Sequence, residues 1–157
     1  MKTYKFYDTY SLLLKIDTLL DETDPIVISS ITLSELENII TSDNKDIDIK
    51  HSAHRLLSLL TEYPEAYEMH IFNMNMLEPI NKQGLAITDD TKILATAIDY
   101  DCSRHPDETI FVTNNLALFN SANLFFGTDS IEYINGVEND NCNGILNNGD
   151  AAKFYSN

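Results

Sequence analysis

Short apolar runs without alternation are interleaved along this chain with stretches whose apolar residues recur every three or four positions. The first run, Tyr4–Tyr7, ends on Asp8. From there Thr9–Leu20 carries Leu12, Leu13, Ile16, Leu19 and Leu20 at helical spacing. A brief, unalternated apolar run is the signature of a strand buried on both faces of a parallel sheet. Asp21–Pro25 breaks the helix, and Ile26–Ile28 repeats the strand pattern. The spacing then predicts a helix over Ser29–Thr41, in which Thr32 and Glu35 have the form of a capping box. Beyond the polar loop Ser42–Asp48 comes a third helix, Ile49–Tyr63, with Ala53, Leu56, Leu57, Leu59 and Leu60 facing inward.

Tyr67–Phe72 reads as a strand and Asn73–Gln83 as irregular. Thr88-Asp89-Asp90 opens a helix expected over Thr91–Tyr100. Thr109–Thr113 is a β-branched, apolar strand, Asn114-Asn115 open a helix over Leu116–Ala122, and Ser130–Ile134 is a last strand. From Asn135 the chain is rich in Asn, Asp and Gly and reads as a tail or linker, so one domain is expected over 1–134 and a tail over 135–157. The alternation of strands and helices implies an α/β fold, three layers deep, with a central parallel sheet between helices.

Composition narrows the function. The chain has 157 residues, 43% of them hydrophobic, which is enough for one domain with a real core. No run of about 18 apolar residues exists, so no membrane span is expected. The N-terminus has no secretory pattern, two cysteines are too few for a disulfide framework, and the cytoplasm is the expected compartment. Twenty-five acids face ten bases for a formal charge of −15, and no basic stripe of a nucleic-acid binder is visible. An acidic surface promotes solubility. It also allows some of the acids to converge on divalent cations.

Asp8, Glu35, Asp89, Asp90 and Asn115 all stand where an apolar run stops and a helix begins. On a parallel sheet those points share one edge, outside the carboxyl ends of the strands, where ligands bind. Each has a plain alternative as a helix cap or first-turn acid. Together they form an oxygen-rich set of the kind that Mg2+ and Mn2+ prefer. Three close carboxylates repel one another strongly unless a cation lies between them.

Four motifs in order carry a resemblance: Asp8-Thr9-Tyr10-Ser11-Leu12-Leu13; Ile28-Ser29-Ser30-Ile31-Thr32-Leu33-Ser34-Glu35-Leu36; Asp90-Thr91-Lys92-Ile93-Leu94-Ala95-Thr96-Ala97; and Phe111-Val112-Thr113-Asn114-Asn115. The chain resembles the PIN domain, the nuclease fold of toxin ribonucleases and RNA-processing factors. The doubled acid Asp89-Asp90 is also similar to the PIN half of PIN–ATPase fusions of the PhoH-like type, although no phosphate-binding Gly-rich loop is present.

The resemblance implies a metal-dependent endoribonuclease that hydrolyses phosphodiester bonds of single-stranded RNA with Mg2+ or Mn2+. It implies Asp8 as the central ligand, Asp90 as a second, and Glu35 as a holder of water or a general base. Asn115 becomes a weak or indirect ligand, Thr113 supports Asp8, and Ser11 and Asp89 are lesser candidates. It leaves open an antitoxin-like or ATPase partner and a homo-oligomer. Two departures stand out: the family's fourth-motif Asp is Asn115 here, and its first-motif Asn is Tyr10.

Two rival readings remain. One is a PIN-like module that binds RNA or a protein without cleaving, which Asn115 and the missing basic patch favour. The other is a phosphoacceptor receiver domain, which expects its acid pair after the first strand rather than late at a helix start. Asn139–Asp150 has oxygen donors near the spacing of a calcium loop, but starts with Asn and ends with Asp instead of Glu. His51 and His54 read as surface residues and Cys102 as a packed thiol.

Overall fold

The strand over Thr3–Tyr7 (β1) lies at the middle of the sheet and is hydrogen-bonded on both sides. Its neighbours are Ile26–Ser29 (β2) and Glu108–Thr113 (β4); Tyr67–His70 (β3) and Ile131–Tyr133 (β5) form the edges. The computed structural model describes residues 1–135. All five strands are parallel, in the order β3-β2-β1-β4-β5, with Phe6 opposite both Val27 and Phe111. Six helices accompany them among the described residues: Thr9–Leu14 (α1), Ser30–Thr41 (α2), Ile47–Glu62 (α3), Glu78–Lys82 (α4), Asp89–Arg104 (α5) and Leu116–Ala122 (α6).

Strand side chains alternate between faces, and the two faces build two cores. Phe6, Val27 and Phe111 pack with Ile80, Ile93, Leu94, Ala97, Tyr100 and Leu118 from α4, α5 and α6. Tyr7, Ile28 and Val112 pack with Leu12, Leu36, Ile39, Leu56 and Leu60 from α1, α2 and α3. Each fully buried side chain of this size contributes about 1.5–3 kcal/mol by leaving water. The three-layer α/β/α expectation therefore holds.

Several boundaries differ from the sequence reading. The helix expected over Thr9–Leu20 is α1 followed by a 3-10 turn, Ile16–Asp21. The tighter winding repeats every three residues, which stacks Ile16 and Leu19 on the core and leaves Leu20 exposed. Residues 73–83, expected irregular, hold a 3-10 turn, Met74–Leu77, and α4, which bury Leu77 and Ile80. α5 runs from Asp89 to Arg104, two residues earlier and four later than expected. The capping-box assignment to Thr32 is corrected: α2 begins at Ser30, and Ser29 caps it by accepting from Ile31 N. Cys102 is exposed, because it falls on the outer side of the lengthened α5. His51 and His54 are exposed as expected. The tail and its calcium-like stretch lie outside the described residues apart from Asn135.

Chain order creates the site. From β1 the chain steps outward to β2 and β3, then returns to the other side of β1 for β4 and β5. The order reverses between β1 and β4, and in open α/β sheets the carboxyl ends at such a reversal flank the ligand crevice.

Candidate active site

Asp8 leaves β1 at that crevice, 3% exposed. Its backbone N donates to Val112 O at 3.0 Å, extending the β1–β4 ladder by one residue. Both carboxylate oxygens are held: Ser11 N donates to Oδ1 at 2.9 Å and Thr113 Oγ1 to Oδ2 at 2.5 Å. Asp8 is thus the N-cap of α1, and the cap and site readings coincide in one side chain. Burial pushes its pKa up, against the opposing pull of the hydrogen bonds from Ser11 and Thr113.

Ser11 and Thr113 serve Asp8 from two elements. Ser11 is fully buried, and its hydroxyl donates to Val112 O at 3.3 Å, tying α1 to β4. Thr113 donates to Asp8 while accepting from Asn115 N at 3.0 Å. Its single proton is committed to Asp8, as the geometry of a hydroxyl with one donor requires.

Asp89 and Asp90 occupy the first turn of α5, with Thr88 as N-cap in a capping box with Thr91. The helix N-terminus favours both charges. Asp89 is exposed; Asp90 turns inward, and its Oδ2 accepts from Asn115 Nδ2 at 3.2 Å. Asn115 caps α6, accepting from Leu118 N at 3.1 Å through Oδ1. Because the Leu118 N–H requires an acceptor, that bond sets which end of the amide faces Asp90. The amide oxygen is taken by the cap and the nitrogen faces the acid, so Asn115 acts here as a donor to Asp90.

Glu35, one turn into α2, accepts from Thr9 Oγ1 at 2.5 Å rather than capping its own helix. Burial, and then the charges of Asp90, Asp89 and Asp8, raise its pKa to about 8 against the opposing hydrogen bond from Thr9. Asp90 is raised to about 6 by burial, then by Asp8 and Asp89. Tyr10 shares this field: burial and the charges of Glu35, Asp90 and Asp8 all push its phenol upward. Asp8, Glu35, Asp89 and Asp90 therefore act electrostatically on one neighbourhood, although they come from a strand end, one layer of helices and the opposite layer. Among the described residues no Lys, Arg or His forms an ion pair with any of the four.

Thr9, Thr32 and Tyr10 are parts of this site that the sequence reading did not assign. Thr9 and Tyr10 directly follow Asp8 in the first motif, and Thr32 stands three positions before Glu35, which was the available signal.

A divalent cation is the group that the fold implies. The donor chemistry fits it: hard carboxylate oxygens, partly buried, with no resident counter-charge among the described residues. As placed, no group of three or more His, Cys, Asp or Glu among the described residues is arranged to hold a metal ion. Repulsion between like charges favours such a spread.

A family model described as the PIN domain matches residues 6–126. The chain belongs to the PIN-domain family. Among solved structures, this PIN domain is similar to a domain of a functionally unknown protein from Methanocaldococcus jannaschii DSM 2661, with 16% identity and a TM-score of 0.56. That match covers 85% of this chain and 91% of the other. It is also similar to VapBC2 from Rickettsia felis, solved bound to a DNA fragment from their promoter, with 19% identity and a TM-score of 0.51 over 83% of this chain and 98% of the other. At these identities the likeness concerns the fold. Among curated proteins no match was found. No helix among the described residues of this PIN domain is long and apolar enough to cross a membrane.

Proposed function

We propose that this PIN domain is a divalent-metal-dependent endoribonuclease acting on single-stranded RNA, with Asp8, Glu35 and Asp90 as its metal-binding and catalytic carboxylates. The observation that carries the proposal is the charge arrangement at the crevice. Three buried or half-buried acids, from the end of β1, α2 and α5, all have their pKa raised first by burial, with Asp8 adding its charge at Asp90 and both adding theirs at Glu35, and none has a basic ion-pair partner among the described residues. Such a set is unfavourable for folding alone and is what a cation site requires.

When bound, Mg2+ or Mn2+ supplies electrostatic stabilisation to a phosphate undergoing hydrolysis and makes an attacking water more acidic. Asp8, locked by Ser11 and Thr113, offers a carboxylate whose orientation is set before any ligand arrives. Glu35, held by Thr9 at the same site, would hold a water or act as a general base. Asp90 retains Oδ1 for a ligand while Asn115 holds Oδ2. In this proposal a partner, antitoxin-like or an ATPase domain, supplies the basic surface that the −15 chain lacks.

The test is cleavage of a single-stranded RNA by the purified chain with Mn2+, with Asp8→Asn as control. Loss of cleavage in that variant and on chelation supports the proposal. Cleavage that survives Asp8→Asn points to a contaminant.

A second reading, a PIN module that binds without cleaving, is favoured by the Asn115 amide in place of a fourth acid. No cleavage by the wild type, together with RNA or protein binding, would select it. A small protein that co-purifies at fixed stoichiometry would identify the partner.

A further inference from the structure

Beneath Glu35 two buried hydroxyls stand in line. Thr9, 1% exposed, donates from Oγ1 to Glu35 Oε1 at 2.5 Å, and Thr32, fully buried, lies with its Oγ1 3.0 Å from that of Thr9. A hydroxyl carries one proton. That of Thr9 goes to Glu35, so Thr32 is the donor between the two threonines. The bonds then run in one direction, Thr32 to Thr9 to Glu35. The acid on α2 is held by the first residue of α1, immediately after Asp8. Oε1 is occupied by the Thr9 hydroxyl.

We propose that Thr9 is a positioning residue of the carboxylate site: its hydroxyl holds Glu35 by Oε1 and so fixes that carboxylate for the divalent cation of the function proposed above. This rests on the function proposed above and assigns a role to a residue that bears no charge. A purely structural Thr9 makes the opposite prediction. If the site needs only its shape, Val is the better replacement; if it needs the hydroxyl, Ser is.

The experiment titrates the full chain with Mn2+ alone by calorimetry, with folding checked by thermal melting. The variants are Thr9→Val and Thr9→Ser, each also in a Glu35→Ala background. Thr9→Val is expected to weaken Mn2+ binding about 10-fold or more, the scale for removing a group that orients a metal ligand. Thr9→Ser is expected to stay near wild type. In the Glu35→Ala background Thr9→Val is expected to change nothing further, because Thr9 acts through Glu35.

If Thr9→Val does not fold, Thr9→Ala replaces it, since it differs from Thr9→Ser by the hydroxyl alone. The inference is overturned if the Val and wild-type affinities match, if Ser is as impaired as Val, or if Val weakens binding without Glu35. Those outcomes leave the carboxylate site standing. A wild type that binds no Mn2+ overturns both the site and the role of Thr9.

Discussion

Asn115 donates from Nδ2 to Asp90 Oδ2 at 3.2 Å, joining the start of α6 to the start of α5. The amide neutralises a contact that an acid at the same position would make repulsive. The site thereby loses one negative charge and gains one hydrogen bond between its two flanking helices.

Asn115→Asp tests that exchange. The new carboxylate keeps the cap on Leu118 N but faces Asp90, raising the Asp90 pKa further. The metal-free variant should melt a few degrees lower than wild type at pH 8 and bind Mn2+ several-fold more tightly. Calorimetry and melting curves with and without Mn2+ check both signs, and a tighter site with lower metal-free stability is the expected pair.

The raised pKa of Glu35 has a definite consequence for stability. Its folded value of about 8 exceeds the ordinary 4.5, so the folded state holds this proton more strongly than the unfolded chain does. The associated stability is full below pH 4.5 and is lost as the pH rises through 8; Asp90 behaves likewise between 3.8 and about 6. Glu35→Gln should therefore flatten the fall in Tm between pH 5 and 8 and raise Tm at pH 8 by roughly 5 °C. Thr9 can still donate to the Gln oxygen, so the comparison isolates the charge. Equal pH profiles in the two proteins would refute the assignment.

Variants at Asp8 and Thr113 test the proposed division between catalysis and support. Asp8→Asn retains one oxygen for Ser11 N and should fold while losing RNA cleavage by about 100-fold or more, the scale for removing a principal catalytic group. Thr113→Val deletes the donor to Asp8 and the acceptor of Asn115 N, and should cost about 1–3 kcal/mol of stability. Denaturant melts and a cleavage assay on each variant distinguish an intact fold without activity from a weakened one.

Metal removal gives a readout independent of catalysis. Mn2+ at 100 times its Kd should raise stability by about 2.7 kcal/mol at pH 8, and EDTA should reverse it. The gain should shrink at pH 5, where Glu35 is protonated and Asp90 largely so. A Tm that ignores Mn2+ at both values would count against a cation site.

The parallel sheet and the layers around it were legible because Tyr4–Tyr7, Ile26–Ile28 and Thr109–Thr113 are short unalternated runs, each followed by helical spacing. The caps at Asp8 and Asn115 were legible because the acceptor and the amide it serves are three residues apart. Thr32 and Glu35 have the same local pattern and mislead. Ser29 caps the helix, and Glu35 is claimed by Thr9 from a different helix, a contact that local sequence does not encode. The length of α5 was hidden for a related reason. Its last turn, Asp101–Arg104, is polar, and it is held by Tyr100 and Arg104 reaching Glu68 on β3.

Asp8 rides on the strand that both cores share, whereas Glu35 hangs from the layer beneath the sheet and Asp90 from the layer above it. A ligand gripped by all three would cross-brace the sandwich. Peeling either helical layer away would then disarm the crevice before the sheet itself came apart. Loss of activity on heating would precede loss of the strands, and ligand would delay the first event more than the second.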